Sequence, residues 1–264
     1  NYVISLLALN KIGAIGVLIN TSLTGAPLIH CINSSDSKKC IVGDELSTSL
    51  EGVLDEINIK NKEDIYWVED VGGGCPDWAS DLNLLLDSSK KDNLEETNLV
   101  TAKDTAFFIF TSGTTGVPKG ALLSHKNVIA GGRNTALAHE VVSSDISFCV
   151  LPLYHINAEM VSIASALVSN SCVVTVSKLS VSNFWQVIEK YRCTWFSVVP
   201  TIINYLLNDN FDISSLNLKN LRFGRSASAP LSPEVHKKFE QTFKVKIIET
   251  MGLTETSAQI LSNP

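Results

Sequence analysis

The sequence lacks any concentration of positive charge. It contains 21 Lys and Arg residues against 27 Asp and Glu residues, for a formal net charge of −6. Basic residues adjoin one another only in short runs such as Lys237-Lys238. A surface that neutralises nucleic-acid phosphates needs a basic patch, so this composition argues against a nucleic-acid partner.

Cysteine pairs at metal or redox spacing are also lacking. Six cysteines occur, at positions 31, 40, 75, 149, 172 and 193, and none forms a C-x-x-C pair. A chain of 264 residues is too long to be a small disulfide scaffold. We therefore expect free, buried thiols in a reducing compartment. This favours a cytoplasmic location, with peroxisomal and membrane-peripheral locations left open.

No segment has the features of a secretory signal or of a membrane span. Residues 1–20 are apolar, but they place Asn10 and Lys11 at their centre and lack a basic leader. A core helix is the simpler interpretation of this segment. Because the chain begins with Asn inside such a helix, we expect it to be a piece of a longer protein.

Short apolar segments alternate with amphipathic ones from about residue 100 onward. The candidates for buried strands are residues 106–110, 146–153, 172–176, 195–200, 221–226 and 246–251. The candidates for helices between them are residues 125–141, 158–170, 182–192 and 233–243. Such alternation predicts an α/β fold in which helices cover mostly parallel sheets.

The first 95 residues repeat this pattern more loosely. Helices are predicted over residues 2–18, 25–34, 46–57 and 78–88, and strands over 39–44 and 65–70. The most polar stretch, residues 87–98, is typical of a surface linker. We therefore predict two subdomains, residues 1–95 and residues 96–264.

One loop has the composition of a phosphate-binding site, although neither G-x-x-x-x-G-K-[ST] nor G-x-G-x-x-G occurs. The segment 111-TSGTTGVPKG-120 directly follows the apolar run 106–110. Its glycines allow tight turns that present backbone N–H groups, its hydroxyls can donate to phosphate oxygens, and Lys119 supplies positive charge. At the carboxyl end of a strand this composition predicts a phosphate cradle. A solvent-exposed hairpin loop is the less favoured alternative.

Four segments, in order along the chain, resemble the signature motifs of the adenylate-forming enzymes. They are 111-TSGTTGVPKG-120, 152-PLYHINA-158, 226-SASAPLS-232 and 251-MGLTET-256. This superfamily includes acyl-CoA synthetases, luciferases and the adenylation domains of peptide synthetases. The resemblance implies that the chain is the central part of the large N-terminal domain of such an enzyme, of the fatty-acid– or carnitine–CoA ligase type.

The resemblance implies a reaction in two steps. A carboxylate attacks the α-phosphate of ATP to give an acyl-adenylate and pyrophosphate, and coenzyme A then displaces AMP to give a thioester. The implied partners are therefore a small carboxylic acid, ATP, Mg²⁺ and coenzyme A. The first step moves negative charge among phosphate oxygens, so it depends on positioning and electrostatic stabilisation.

The resemblance also implies a role for each motif residue. The β- and γ-phosphates would be held by Thr111, Ser112, Gly113, Thr114, Thr115, Gly116 and Lys119. Thr254 would bind the α-phosphate, and Glu255 would ligate Mg²⁺, which prefers carboxylate oxygen. The adenine site would be formed by Ser228, Ala229, Pro230, Met251 and Gly252. His155 would lie where the acyl and adenylate pockets join.

Two features of the motifs bear on the substrate and the nucleotide. Met251 stands where the family usually has an aromatic residue that stacks on adenine, although methionine can also pack on a ring face. Amino-acid-activating relatives carry an aspartate in the segment corresponding to residues 152–158, and none occurs here. A plain carboxylic acid, most consistent with a fatty acid, is therefore expected. Trp185, Trp195 and Phe196 could form an apolar wall.

Two other functions stay open at this point. One is a luciferase-like or aryl-acid ligase that shares the first half-reaction. The other is a non-catalytic nucleotide-binding relative, which Met251 would fit. The family's ribose-binding aspartate, its hinge and its small C-terminal domain with the adenylation lysine all lie beyond Pro264, so these 264 residues alone are expected to be inactive. The oligomeric state is not indicated.

Overall fold

The computed structural model describes residues 1–111, 118–209 and 211–263, apart from the side chain of Glu96. The chain divides into two units, Asn1–His125 and Lys126–Pro264. This division lies later than the predicted one near residue 95. The reason is that residues 105–111 pair with a strand formed by residues 16–18, which ties them to the first unit.

The first unit contains two small sheets. Its strands are β1 (Gly16–Leu18), β2 (Cys40–Gly43), β3 (Ile65–Val68), β4 (Ser80–Asp81), β5 (Thr105–Thr111) and β6 (Lys119–Ser124). One sheet has the order β1-β5-β6, in which β1 and β5 are parallel and β5 and β6 are antiparallel. The other sheet has the order β2-β3-β4 and is parallel.

The helices of the first unit only partly follow the predicted ones. They are α1 (Tyr2–Lys11), α2 (Gly25–Ser34), α3 (Ser47–Glu51) and α4 (Leu82–Ser88), with 3₁₀ turns at Asp44–Leu46, Lys62–Asp64 and Glu95–Leu99. The helix predicted over residues 2–18 is wrong beyond Lys11. Gly13 has a φ of +74°, a conformation that ends the helix, and the next apolar residues pair with β5 instead.

The second unit contains one six-stranded sheet. Its strands are β7 (Ile146–Cys149), β8 (Cys172–Thr175), β9 (Trp195–Val198), β10 (Phe223–Ser226), β11 (Lys246–Leu253) and β12 (Ala258–Ser262). Their order is β12-β11-β10-β9-β7-β8, and every pair is parallel except the antiparallel pair β11–β12. The predicted α/β class with mostly parallel strands is therefore confirmed.

Helices cover the six-stranded sheet. They are α5 (His125–Ala138), a π-helix (Asn157–Ala164), α6 (Ser165–Ser169), α7 (Phe184–Tyr191), α8 (Pro200–Asn208) and α9 (Pro233–Phe243). Helix α9 has the predicted bounds, because the Ser232 hydroxyl accepts a hydrogen bond from the Val235 N–H (3.3 Å) and Pro233 opens the first turn. Residues 158–170 were predicted as one helix, and they form the π-helix followed by α6.

Aromatic side chains fill the core between the sheet and helices α7 and α9. The ring centroids of Trp185 and Phe243 lie 4.7 Å apart, and Phe196 meets Phe184 at 5.2 Å. Trp185 and Phe196 are 1% and 0% exposed. Trp195 points to the other face of the sheet, where it stacks on Phe223. The aromatic residues expected to form an apolar wall are therefore core residues.

All six cysteines are free thiols, and they differ in exposure. Cys31, Cys149 and Cys193 are buried, whereas Cys172 begins the edge strand β8 and is exposed, contrary to expectation. In the described part of the chain, no helix is both long enough and apolar enough to cross a bilayer.

Candidate active site

The predicted phosphate loop connects two antiparallel strands of the first unit. Thr111 ends β5 and Lys119 begins β6, and the two residues pair across the ladder. The Thr111 hydroxyl donates to the Lys119 carbonyl (3.4 Å), while the Lys119 side chain is exposed. Nε2 of His30 lies 3.3 Å from the carbonyl oxygen of Pro118, which fixes one end of the loop. Ser112, Gly113, Thr114, Thr115 and Gly116 lie outside the described residues.

The predicted adenine segment follows β10. Ser228, Ala229 and Pro230 are exposed, and Ser228 adopts a φ of +74°. This left-handed conformation is strained for a residue with a side chain. The Ser228 hydroxyl accepts a hydrogen bond from Nδ2 of Asn157 (3.2 Å). The segment therefore offers small, open positions at the carboxyl end of the strand, where a flat ring could approach the backbone.

The T-E motif follows β11. Met251 is 57% exposed, and Gly252 sits at a bulge where a Cβ atom would collide with the backbone of Ala258. Residues Thr254–Thr256 form a 3₁₀ turn, which is closed by a hydrogen bond from the Leu253 N–H to the Thr256 hydroxyl (3.1 Å). This turn leaves Thr254 half-buried and Glu255 exposed.

The structure brings the segments after β10 and β11 together. The two strands are parallel neighbours, with Ser226 opposite Glu249. A carboxylate oxygen of Glu249 accepts a hydrogen bond from the Leu231 N–H (2.8 Å), which ties the first segment to the second strand. Both segments therefore leave the same edge of the sheet, as expected for ligand-binding loops of a parallel sheet.

His155 precedes the π-helix and lies after β7. Its ring contacts the Tyr154 ring at 4.4 Å, and its carbonyl accepts hydrogen bonds from the N–H groups of Ala158 and Glu159, each at 3.0 Å. Partial burial lowers the pKa of His155 below its ordinary value. This shift favours the neutral imidazole, in which one ring nitrogen donates a hydrogen bond and the other accepts one.

A buried polar network lies beside these segments, and the sequence did not reveal it. Nη1 of Arg225 donates to Oδ1 of Asn157 (2.6 Å) and to the Ser197 hydroxyl (3.2 Å). Nε of Arg225 donates to Oε1 of Gln259 (3.4 Å), which also lies 3.0 Å from Nε2 of His139. The available signal was the pair of charged residues, Arg222 and Arg225, within the predicted strand segment 221–226.

Burial shifts the pKa values of three groups on this side of the sheet. It lowers the pKa of Arg225 to about 9 and, together with the nearby Arg225 charge, the pKa of His139 to about 4. It raises the pKa of Glu159, on the π-helix, to about 8. Oε2 of Glu159 is buried without a hydrogen-bond partner among the described residues. Glu159 is therefore mainly protonated at neutral pH.

The exposed carboxylate of Glu255 suits a magnesium ion that is held mostly by phosphate and water. Within residues 1–111, 118–209 and 211–263, no group of three or more His, Cys, Asp or Glu side chains could enclose a metal ion. Mg²⁺ commonly uses one or two carboxylates together with phosphate oxygens and water. The residues present therefore fit Mg²⁺ bound with a nucleotide, with Glu255 as the protein ligand.

The chain is similar to several CoA ligases. It is 47% identical over 159 residues to a sulfoacetate–CoA ligase of Cupriavidus necator, which covers 60% of this chain and 31% of that protein. It is 29% identical over 266 residues to an oxalate–CoA ligase of Arabidopsis thaliana, which covers 100% of this chain and 50% of that protein. The chain therefore spans half the length of these relatives or less.

Solved structures and family models agree with this similarity. A long-chain-fatty-acid–CoA ligase from Archaeoglobus fulgidus matches with a TM-score of 0.85 and 25% identity, over 100% of this chain and 52% of that one. The fold is therefore that of the N-terminal domain of adenylate-forming CoA ligases. The family model described as "AMP-binding enzyme" matches residues 1–264. Because this match takes in the whole chain, the protein belongs to the AMP-binding enzyme family, within the adenylate-forming superfamily.

Proposed function

We propose that the protein activates a carboxylic acid with ATP to an acyl-adenylate and then forms a thioester with coenzyme A. The observation that carries this proposal is the pairing of the two segments after β10 and β11, which present small residues and Glu255 at one sheet edge. The family membership and the names of the relatives support the same reaction class. A cytoplasmic location stays a prediction.

The proposed roles follow the exposure and chemistry of each side chain. Thr111, Lys119 and residues 112–116 hold the β- and γ-phosphates, where the exposed Lys119 ammonium offsets the charge of the departing pyrophosphate. Thr254 bonds the α-phosphate. Mg²⁺, bound through Glu255, would neutralise charge on the phosphate oxygens.

The remaining site residues position the adenine and the acid. Ala229 and Pro230 leave room for the base, and Met251, exposed at the end of β11, packs its thioether on the ring face. Ser228 and Gly252 shape the backbone around it. His155 borders the carboxylate and the developing adenylate. The catalytic effect in this arrangement is positioning and charge stabilisation, with no covalent role for a side chain.

Two classes of acid are candidates. A fatty acid is the class favoured by the sequence, and one structural neighbour is a long-chain-fatty-acid–CoA ligase. A short acid is the second candidate. It is favoured because Trp185 and Phe196 are packed in the core and are not free to form an apolar wall for a long chain. Two relatives are also named for short acids, oxalate and sulfoacetate. An aryl acid and a non-catalytic nucleotide-binding role are weaker alternatives, because the first has no support among the described residues and the second is supported only by Met251.

The test is a thioester assay on the full-length protein with ATP, Mg²⁺, coenzyme A and a panel of acids. The panel runs from two-carbon acids to long-chain fatty acids and includes benzoate. We expect acid-dependent release of AMP and pyrophosphate, with a stoichiometric acyl-CoA product. ATP binding without AMP release for any acid would instead support the non-catalytic role.

A further inference from the structure

Arg225 is a deeply buried cation that has no acidic partner among the described residues. It is 2% exposed, and its hydrogen-bond acceptors among the described residues are the neutral groups of Asn157, Ser197 and Gln259. Arg222, three residues earlier, shows the usual arrangement, because its guanidinium pairs with the Asp145 carboxylate at 2.9 Å. A buried charge is normally paired, since removing it from water is costly. The Arg225 guanidinium is therefore available to form an ion pair with an anionic ligand.

Arg225 also lies where a ligand of a parallel sheet would bind. Cys149, Ser197 and Arg225 are direct neighbours across β7, β9 and β10, one residue before the carboxyl end of β9 and of β10 and at the end of β7. Hydrogen bonds from Arg225 and Ser197 to Asn157 place this row beneath the π-helix. π-Helices are rare and occur often at functional sites.

Asn157 links the buried guanidinium to the open segment of the candidate active site. Its Oδ1 accepts from Arg225, and its Nδ2 donates to the hydroxyl of the exposed Ser228. Oδ1 thus occupies the position in which an oxygen of an anionic ligand would meet the guanidinium. Rotation of this one amide side chain would free Nη1 of Arg225 for a ligand arriving beside Ser228.

We infer that Arg225, together with Asn157 and Ser197, forms a subsite for a second negatively charged group on the substrate acid. The substrate class is then a short carboxylic acid that carries a carboxylate or sulfonate at its other end. A guanidinium binds such groups through two parallel hydrogen bonds, and the Ser197 hydroxyl adds a third contact. Glu159, on the same π-helix, opposes this anion little because its pKa is raised to about 8.

This inference rests on the proposed function, and matched acids test it. Sulfoacetate is compared with methylsulfonylacetate, and oxalate with pyruvate, in the thioester assay on the full-length protein. Each pair has similar size and differs by one negative charge. We expect the doubly charged acid of a pair to have the higher kcat/KM. Arg225→Met should lower kcat/KM for that acid by roughly 10- to 100-fold, through KM, and leave kcat/KM for the singly charged acid nearly unchanged.

A second variant, Asn157→Asp, tests the subsite if Arg225→Met does not fold. Asn157→Asp retains Arg225 and the shape of the side chain, but it places a carboxylate on the guanidinium. It should abolish the preference for the doubly charged acid while preserving the melting temperature. Arg225→Lys, which keeps the charge, should retain part of the preference.

The outcomes separate the two claims. Thioester formation from singly charged acids alone would overturn the subsite and leave the proposed function standing. A preference for the doubly charged acid that survives both Arg225→Met and Asn157→Asp, or an equal loss for both acids of a pair, would assign Arg225 a structural role and overturn the subsite. No thioester from any acid would overturn the proposed function and, with it, the subsite.

Discussion

The two faces of the six-stranded sheet have opposite characters. Residues Phe148, Phe196 and Ile247 point to the face covered by α7 and α9, where the core is apolar. Ser197, the next residue of β9, and its cross-strand neighbour Arg225 of β10 point to the π-helix and carry buried polar groups. Successive residues of a strand point to opposite faces, so each strand contributes side chains to both faces of the sheet. The apolar face stabilises the fold, whereas the polar face can be specialised for binding a ligand at a cost in the stability of the fold.

The largest effect on stability is expected on the apolar face. Phe239 is fully buried and contacts the rings of Trp185, Phe196 and Phe243. Phe239→Ala should lower the free energy of unfolding by about 3–5 kcal/mol, because it leaves a cavity in a close-packed core. Urea unfolding followed by circular dichroism measures the loss. A loss below about 1 kcal/mol would show that this face is not the main source of stability.

Lys119 should show the reverse behaviour, with a large effect on activity and none on the fold. Lys119→Ala in the full-length protein is expected to slow adenylation by about 10²–10³-fold, because one preorganised electrostatic contact is lost. The measurement is carboxylate-dependent pyrophosphate exchange. The exposed Lys246, at the start of β11 and away from the motifs, provides the matched control as Lys246→Ala. Near-parental exchange by Lys119→Ala would mean that the phosphate site is misplaced.

Glu159 should make the stability of the polar face depend on pH. Its pKa is raised to about 8 in the folded protein from an ordinary value of 4.5. Between these values the folded state holds a proton that the unfolded state has lost. The contribution of Glu159 to the free energy of unfolding should therefore be greatest below pH 4.5 and fall by about 1.4 kcal/mol per pH unit as pH rises toward 8.

Glu159→Gln is the control for this pH dependence, because glutamine resembles the protonated acid and does not titrate. The difference in unfolding free energy between the variant and the parent should grow from pH 5 to pH 8. Melting temperatures across that range report it. Parallel pH profiles for the two proteins would contradict the assignment of a proton to Glu159.

The smallest effect is expected at Glu255, because added metal can offset it. Glu255→Ala removes one carboxylate ligand and should slow adenylation by about 10- to 100-fold at limiting Mg²⁺. The deficit should shrink as Mg²⁺ rises, while that of Lys119→Ala should not, since a free cation does not replace a positioned ammonium. Pyrophosphate exchange against Mg²⁺ concentration distinguishes the two. An equal response of both variants would rule out Glu255 as the metal ligand.

Local signals in the sequence were enough to predict several elements and the site segments. Helices α2 and α9 have the predicted bounds, and each predicted buried strand after residue 100 overlaps an observed strand. The four motif segments could be located because glycine, hydroxyl and carboxylate residues occur there at defined spacing. The roles assigned to their residues stay predictions.

Other elements depended on long-range pairing, which a local pattern does not contain. The sequence pattern predicts that residues 16–18 are part of a helix. They form strand β1 instead, because they pair with residues 107–109. Strands β6 and β12 were not predicted, and each forms by antiparallel pairing with the preceding strand of its sheet. Helix α8 was also missed, although Pro200 opens it at the first helical position.

The sequence by itself determined the fold class, the family motifs and the overall acidity of this protein, because these reside in local composition and spacing. Only the tertiary structure decided which side chains share one face of the sheet. The row of Cys149, Ser197 and Arg225 joins residues from three separate strands, and Asn157 reaches it from the π-helix. The packing buries Arg225 with no acidic partner in the described part of the chain, and no spacing along the sequence can express that arrangement.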